Sequence, residues 1–208
     1  MQDIFDVNVF GPIRVTQAIL PHFRSRRRGG SVVFIGAGVA WAPIAFLAHY
    51  SAAKAALGRF AEGLRKELRA CKEDMDIRCT VLEPGGFASR LGQPRTGSDE
   101  GFGAYRPMVP DYESLFAETM EVFNREIAPN IPGDVVRLAD TIVDLVRAGE
   151  ELPVRVVLGS DSLALVRQKC REQLELMDEF EHVSLRTDQD DAEAFHYEGM
   201  LRLTSMFS

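Results

Sequence analysis

The sequence predicts an α/β fold, a parallel sheet of about three strands flanked by helices, with a helical C-terminal part. Two observations carry that prediction. Ser31-Val32-Val33-Phe34-Ile35 is a short β-branched and aromatic run with Gly on both sides, the pattern of a strand buried on both faces, and Ile77 to Leu82 is another β-branched strand. Between them, His49 to about Ala70 places Leu57, Phe60, Leu64 and Leu68 at helical spacing with charges between. Strand, helix, strand is a right-handed crossover unit, and it sets the two strands parallel.

The remaining elements follow in order. Asp3 to Phe23 carries Ile4, Phe5, Val9, Ile13, Ala18 and Leu20 at mostly helical intervals, and Gly29-Gly30 ends the run. Arg24, Arg26, Arg27 and Arg28 cluster at the end of that helix, where positive charge complements the dipole. Gly36 to Ala48 reads as a loop, and Glu83-Pro84-Gly85-Gly86 has the turn chemistry to stop the second strand. Phe87 to Asp111 is rich in Gly, Pro, Ser and Arg and longer than a plain connection, the pattern of a lid or a disordered loop. Tyr112 to about Glu126 and Asp134 to about Ala148 read as helices, the second opening after Pro132-Gly133. Val154 to Leu158 is a third strand, and Ser160 or Asp161 can cap a long helix that runs to about Phe180. An acidic, polar segment then leads to an apolar end, His196 to Phe207, expected to dock on the body. The whole is expected to form one domain over 1–208, with an α/β part at 1–160 and a helical extension at 161–208.

Composition excludes several classes. Hydrophobic residues make up 46% and charged residues 26%, a globular balance, and no apolar run reaches the span of about 20 residues that a membrane helix needs. The net charge of −7 argues against a general nucleic-acid binder. The first residues run acidic to basic, the reverse of a signal peptide. Cys71, Cys79 and Cys170 stand far apart without metal-ligand spacing, so neither a metal site nor a disulfide framework is expected. A cytoplasmic protein with no membrane and no nucleic-acid partner fits these features.

Chemistry is concentrated at Tyr50-Ser51-Ala52-Ala53-Lys54, which opens a helix after a strand and a loop. Four residues apart, the phenol and the ammonium share a helical face. A nearby ammonium stabilises phenolate and draws the Tyr50 pKa down from about 10, making it a usable general acid or base.

Four motifs in series resemble the short-chain dehydrogenase/reductase family: Asn8-Val9-Phe10-Gly11, then Gly30 to Ile35, then Tyr50-Ser51-Ala52-Ala53-Lys54-Ala55-Ala56-Leu57, then Glu83-Pro84-Gly85-Gly86-Phe87-Ala88-Ser89. The resemblance runs from the first residue to about Ser160 and implies a partial, truncated Rossmann-like sheet. It implies Tyr50 as proton donor or acceptor, Lys54 as the group that lowers the Tyr50 pKa and holds the nicotinamide ribose, and Asn8 as anchor of a proton-relay water. Ser89 would meet the cofactor carboxamide or phosphate, a vestigial role if no cofactor binds. Ala37, Trp41, His49, Phe87 and Tyr105 are the expected substrate pocket, and Phe46, Phe116 and Phe123 could join them beside Tyr50.

Two departures from the family pattern matter. The family's fourth catalytic residue is a serine about thirteen positions before the tyrosine, and here that region holds Ala37. Losing that donor costs about 2.7–4 kcal/mol by analogy with an oxyanion-hole deletion, unless His49 or a loop N–H substitutes. The chain also has no glycine-rich strand-turn-helix to cradle a pyrophosphate. No cofactor is therefore expected for the chain as it stands, and NADP or NAD only if an upstream half exists.

The first expectation is thus an acid/base enzyme acting on a small apolar carbonyl compound without hydride transfer, an isomerase, cyclase or lyase. The alternatives are an NADP-dependent oxidoreductase, a ketoreductase or alcohol dehydrogenase of which this is a truncated chain, and a non-catalytic relative. Without a neighbour on one side, the Ser31 to Ile35 strand becomes a sheet edge, so a homodimer is expected, by pairing of that strand or exchange of elements.

Overall fold

The computed structural model describes residues 1–26, 29–71, 77–89, 107, 109–148, 152–188 and 197–206. The chain opens with α1 (Gln2–Phe5), passes through a π-helical turn at Asp6–Phe10 and continues as α2 (Gly11–Arg26). The wide turn has a cause in the sequence. Pro12 has no N–H to give to the carbonyl of Asn8, four residues earlier, and the Gly11 N–H reaches five residues back to Asp6.

β1 (Gly30–Ile35) follows, then a 3-10 turn at Gly38–Ala40 and the long helix α3 (Ala48–Ala70). β2 (Ile77–Pro84) pairs parallel with β1, Gly30 opposite Ile77 and Ile35 opposite Leu82. Next come β3 (Phe87–Ala88), a 3-10 turn at Pro110–Tyr112, α4 (Glu113–Val122), a π-helical turn at Phe123–Ile127 and a 3-10 turn at Ala128–Asn130. β4 (Gly133–Asp134), α5 (Val135–Arg147), β5 (Arg155–Leu158), α6 (Ser160–Glu179), α7 (Glu181–Leu185) and α8 (Tyr197–Ser205) complete the chain. The main sheet has the order β1-β2-β5 and is parallel throughout, the three-stranded α/β arrangement expected.

Three local expectations need correction. The second strand does not stop at Glu83: Glu83 and Pro84 still pair, with Val157 and Leu158, because the missing proline N–H falls at the strand end. The segment after it is not all loop, since Phe87 and Ala88 pair parallel with Gly133 and Asp134, a two-residue ladder too short to show as periodicity. Its residues 90–106 and 108 lie outside the described residues. Neither Ser160 nor Asp161 caps α6: the cap is Gly159, at φ 100, and the Asp161 carboxylate instead accepts the Gly86 N–H at 2.6 Å. Asp134 does cap α5, accepting from the N–H groups of Val136 and Arg137, and those bonds hold its carboxyl below the ordinary value.

The core lies between α3 and the sheet. Leu57, Ala61, Leu64 and Leu68 on one face of α3 pack against Phe34 of β1 and Cys79 and Val81 of β2. Phe34 and Phe60 meet edge to face at 5.8 Å. Cys79 is buried, and burial pushes its thiol up to about 12, which makes it a core residue without nucleophilic use. Val81 is fully buried, so Val81→Ala should cost about 2 kcal/mol, read from chemical denaturation. No helix among the described residues is long and apolar enough to cross a membrane.

Candidate active site

β1 ends at Ile35, the chain loops out through Gly36 to Leu47, and α3 begins; that path puts Tyr50 and Lys54 on the first turns of α3, near the carboxyl end of the strand. Lys54 Nζ donates to the Ile35 carbonyl at 2.8 Å and stands 5.7 Å from the centroid of the Tyr50 ring. One of the three ammonium donors is thereby fixed on the strand end, and two remain for a ligand.

The electrostatics run opposite to the expectation. Burial raises the Tyr50 phenol above its ordinary value and lowers the Lys54 ammonium below its own, because desolvation disfavours both charged forms. The phenol is therefore set as a proton donor in this structure. Difference absorbance between the protein and Tyr50→Phe during an alkaline titration should place the Tyr50 midpoint above about 10. A midpoint below that would mean that the Lys54 charge outweighs burial.

Asn8 sits in the π-helical turn, half-buried, with its Nδ2 donating to the Ile4 carbonyl at 2.9 Å. Its side-chain amide is thus spent partly within its own helix. Ala37 is buried at the start of the 3-10 turn, where its carbonyl accepts the Ala40 N–H at 3.0 Å. Ser51, the next serine or threonine along the chain from Ala37, is buried, and its Oγ has no hydrogen-bond partner among the described residues. His49 is exposed, Phe87 is half-buried in β3, and Tyr105 lies outside the described residues.

The aromatic residues divide. Phe46, at φ 66, meets Phe116 at 5.2 Å and Tyr112 at 6.4 Å, both edge to face, so the loop before Tyr50 is tied to α4. Trp41 does not join that group. Its indole N–H donates to Glu83 Oε2 at 2.9 Å, and the Arg155 guanidinium stacks 4.4 Å from its ring centroid. Glu83 is fully buried and holds Arg155 at two points, Nε at 3.1 Å and Nη2 more closely. Arg155 Nη1 also donates to Glu62 Oε1 at 2.9 Å, and Arg59 donates to the other oxygen of Glu62 at 2.7 Å. Burial opposes the charges of Arg155 and Glu62, yet the bonds of Arg155 to Glu83 and Glu62 raise the Arg155 pKa, and those of Glu62 to Arg155 and Arg59 lower its own. Sequence reasoning missed this cluster. The available signal was one carboxylate inside the apolar run of β2 and one guanidinium opening the apolar run of β5.

Ser89 is exposed at the rim of a cleft of about 690 Å³, lined also by Ala88, Ala128, Pro129, Ile131 and Val135. A nicotinamide nucleotide fits these residues only in part. Lys54 offers free donors for its ribose end, and Ser89 a hydroxyl. The two glycine pairs do not form a phosphate cradle: Gly29-Gly30 follows a helix, and Gly85-Gly86 is filled by the Asp161 carboxylate. Among the described residues no group of three acidic, His or Cys side chains is placed to hold a metal.

The short chain dehydrogenase family profile matches residues 1–100. Over 97 residues the chain is 36% identical to dehydrogenase/reductase SDR family member 7C of Xenopus tropicalis, covering 47% of this chain and 30% of that protein. It is 28% identical over 155 residues to retinol dehydrogenase 8 of Bos taurus, covering 71% of this chain and 46% of the relative. A short-chain dehydrogenase structure from Streptomyces avermitilis superposes with a TM-score of 0.70 at 29% identity, over 90% of this chain and 62% of that one. The chain thus spans less than half the length of these two curated relatives. Residues 1–100, with the Tyr50/Lys54 helix, match the short-chain dehydrogenase family, and the parallel sheet is shared with the short-chain dehydrogenase structure from Streptomyces avermitilis.

Proposed function

We propose that this chain carries the proton-transfer part of an NAD(P)-dependent oxidoreductase acting on a small apolar carbonyl compound or its alcohol. The observation that carries the reading is the Tyr50/Lys54 pair on α3, with Lys54 fixed to the Ile35 carbonyl. The names of the relatives favour redox chemistry over the isomerase, cyclase or lyase expected first, since both are dehydrogenases or reductases.

In this reading Tyr50, kept protonated by its burial, donates its proton to the substrate oxygen as a carbonyl is reduced, and takes it back in the reverse direction. Lys54 orients the site with its free donors and stabilises charge on the phenol. Asn8 stands for a link between Tyr50 and water. The group that would supply or accept hydride is a nicotinamide, and Lys54 and Ser89 are the residues here that would meet its nicotinamide end.

A non-redox reading keeps one specific support, the buried Ala37 where a hydroxyl would help to polarise a carbonyl. The two part in one assay, in which the chain is mixed with apolar ketones and aldehydes and with NADPH or NADH at millimolar concentration. The proposal expects oxidation of the nucleotide, rising without saturation through the micromolar range because neither glycine pair forms a phosphate cradle. Substrate conversion independent of nucleotide would favour the non-redox reading, and no conversion at all would refute both.

We also infer a homodimer. β1 is the outer strand of the sheet, and Ile35 at its end is 46% exposed, an apolar edge open to a second copy. Sedimentation should give a dimer at micromolar concentration; a stable monomer would overturn this.

A further inference from the structure

Two loops leave the carboxyl ends of the paired strands β1 and β2, and Lys54 is bonded to the first of these ends. The first, from Gly36 to Leu47, carries Ala37 and leads into α3; the second, Gly85-Gly86, leads from β2 to β3. Glu83 lies between them. Its carboxylate takes the Trp41 indole N–H of the first loop at 2.9 Å, and it stands in β2 two residues before the second. Its carbonyl accepts the Ser162 hydroxyl at 3.2 Å, and Ser162 packs so closely on Gly38 that a β-carbon there has no room. The neighbouring Asp161 holds the Gly86 N–H. Arg155 closes the arrangement, stacked on Trp41 and lying against Gly58 of α3, where an added Cβ would come within 2.8 Å of its guanidinium.

We propose that Glu83 is a positioning residue, whose buried carboxylate sets the first loop against the second by holding Trp41 and Arg155 together, and so fixes the approach to Tyr50. The inference rests on the reading of Tyr50 as the proton-transfer residue only for its catalytic consequence; the coupling of the two loops stands on the geometry. A buried carboxylate must find its hydrogen-bond partners wherever they stand, and so ties together the elements that carry them. Glu83 has two on different elements, Trp41 in the loop and Arg155 in β5, and its backbone engages a third, Ser162 of α6.

The test is amide hydrogen exchange on the whole chain, joined to emission of Trp41, the one tryptophan in the sequence. In Glu83→Gln the amides of Ala40, Trp41 and Gly86 should exchange about tenfold faster, as expected when a charge-assisted bond is lost. Amides of β1 and α3 should stay protected, and Trp41 emission should shift to the red. Where Glu83→Gln does not fold, Trp41→Phe keeps the ion pair and an aromatic ring beside Arg155 and removes the indole N–H with its five-membered ring, and the same amides should loosen. If the assay for nucleotide-linked turnover succeeds, both variants should lower kcat with KM little changed. Failure of that assay leaves the exchange result to decide the coupling alone. Wild-type exchange in the two loops, or uniform acceleration that includes β1 and α3, would overturn the proposal.

Discussion

Tyr50→Phe should lower turnover by about 10²–10⁴-fold while leaving the melting temperature close to that of the parent protein. The expectation follows from what the substitution removes. The ring and its packing stay, Lys54 keeps its bond to the Ile35 carbonyl, and only the hydroxyl, with the proton proposed to move, is lost. Because burial keeps the phenol neutral, the carbonyl-reducing direction should hold its rate well into alkaline pH and fall only as the raised Tyr50 pKa is passed. The alcohol-oxidising direction should rise over that same range, since it needs phenolate. Loss of both profiles in Tyr50→Phe would assign them to this residue; an unchanged profile would place the essential proton elsewhere. Initial rates in both directions across pH, with a thermal melt of each protein, make the check.

Arg155→Met should destabilise the fold by about 3–5 kcal/mol, the usual result of leaving one charge of a buried pair without its partner. The side chain of Glu83 is fully inaccessible and that of Arg155 only 12% exposed, so water cannot take over the lost bonds. Glu62, more exposed at 22%, would still keep Arg59. A double variant, Arg155→Met with Glu83→Leu, should recover most of the loss, because two apolar groups replace two charges of similar reach. Chemical denaturation of the four proteins closes the cycle. A small loss in Arg155→Met, with no recovery in the double variant, would mean that the pair is not desolvated as described.

Much of this fold is legible in local sequence, for reasons that the exceptions make plain. β1, α3 and β2 announce themselves because each carries an unbroken pattern of one period, and α5 because Asp134 stands before its first turn. Short-range pattern says nothing of the β3–β4 ladder, only two residues a side, or of Asp161, which reaches across to Gly86 instead of capping its own helix. The Tyr50/Lys54 pair is readable since four residues on a helix fix their neighbourhood. The direction of the Tyr50 pKa is not, because it depends on burial by elements distant in the chain. Glu83 and Arg155 are 72 residues apart, and what joins them is the parallel register of β2 and β5. Trp41 looks like a pocket residue in sequence for the same reason: its partner is invisible until the sheet forms.

The central claim, that Tyr50 delivers the proton in a redox reaction and not in a rearrangement, meets its most direct test in the product. An apolar ketone is incubated with the chain and a nicotinamide nucleotide deuterated at the transferring carbon, and the product is read by mass spectrometry and NMR. The account predicts an alcohol with one deuterium on the carbinol carbon, formed by the parent protein and not by Tyr50→Phe. A Tyr50-dependent product that carries no deuterium, altered only in the position of its protons or double bonds, would contradict it.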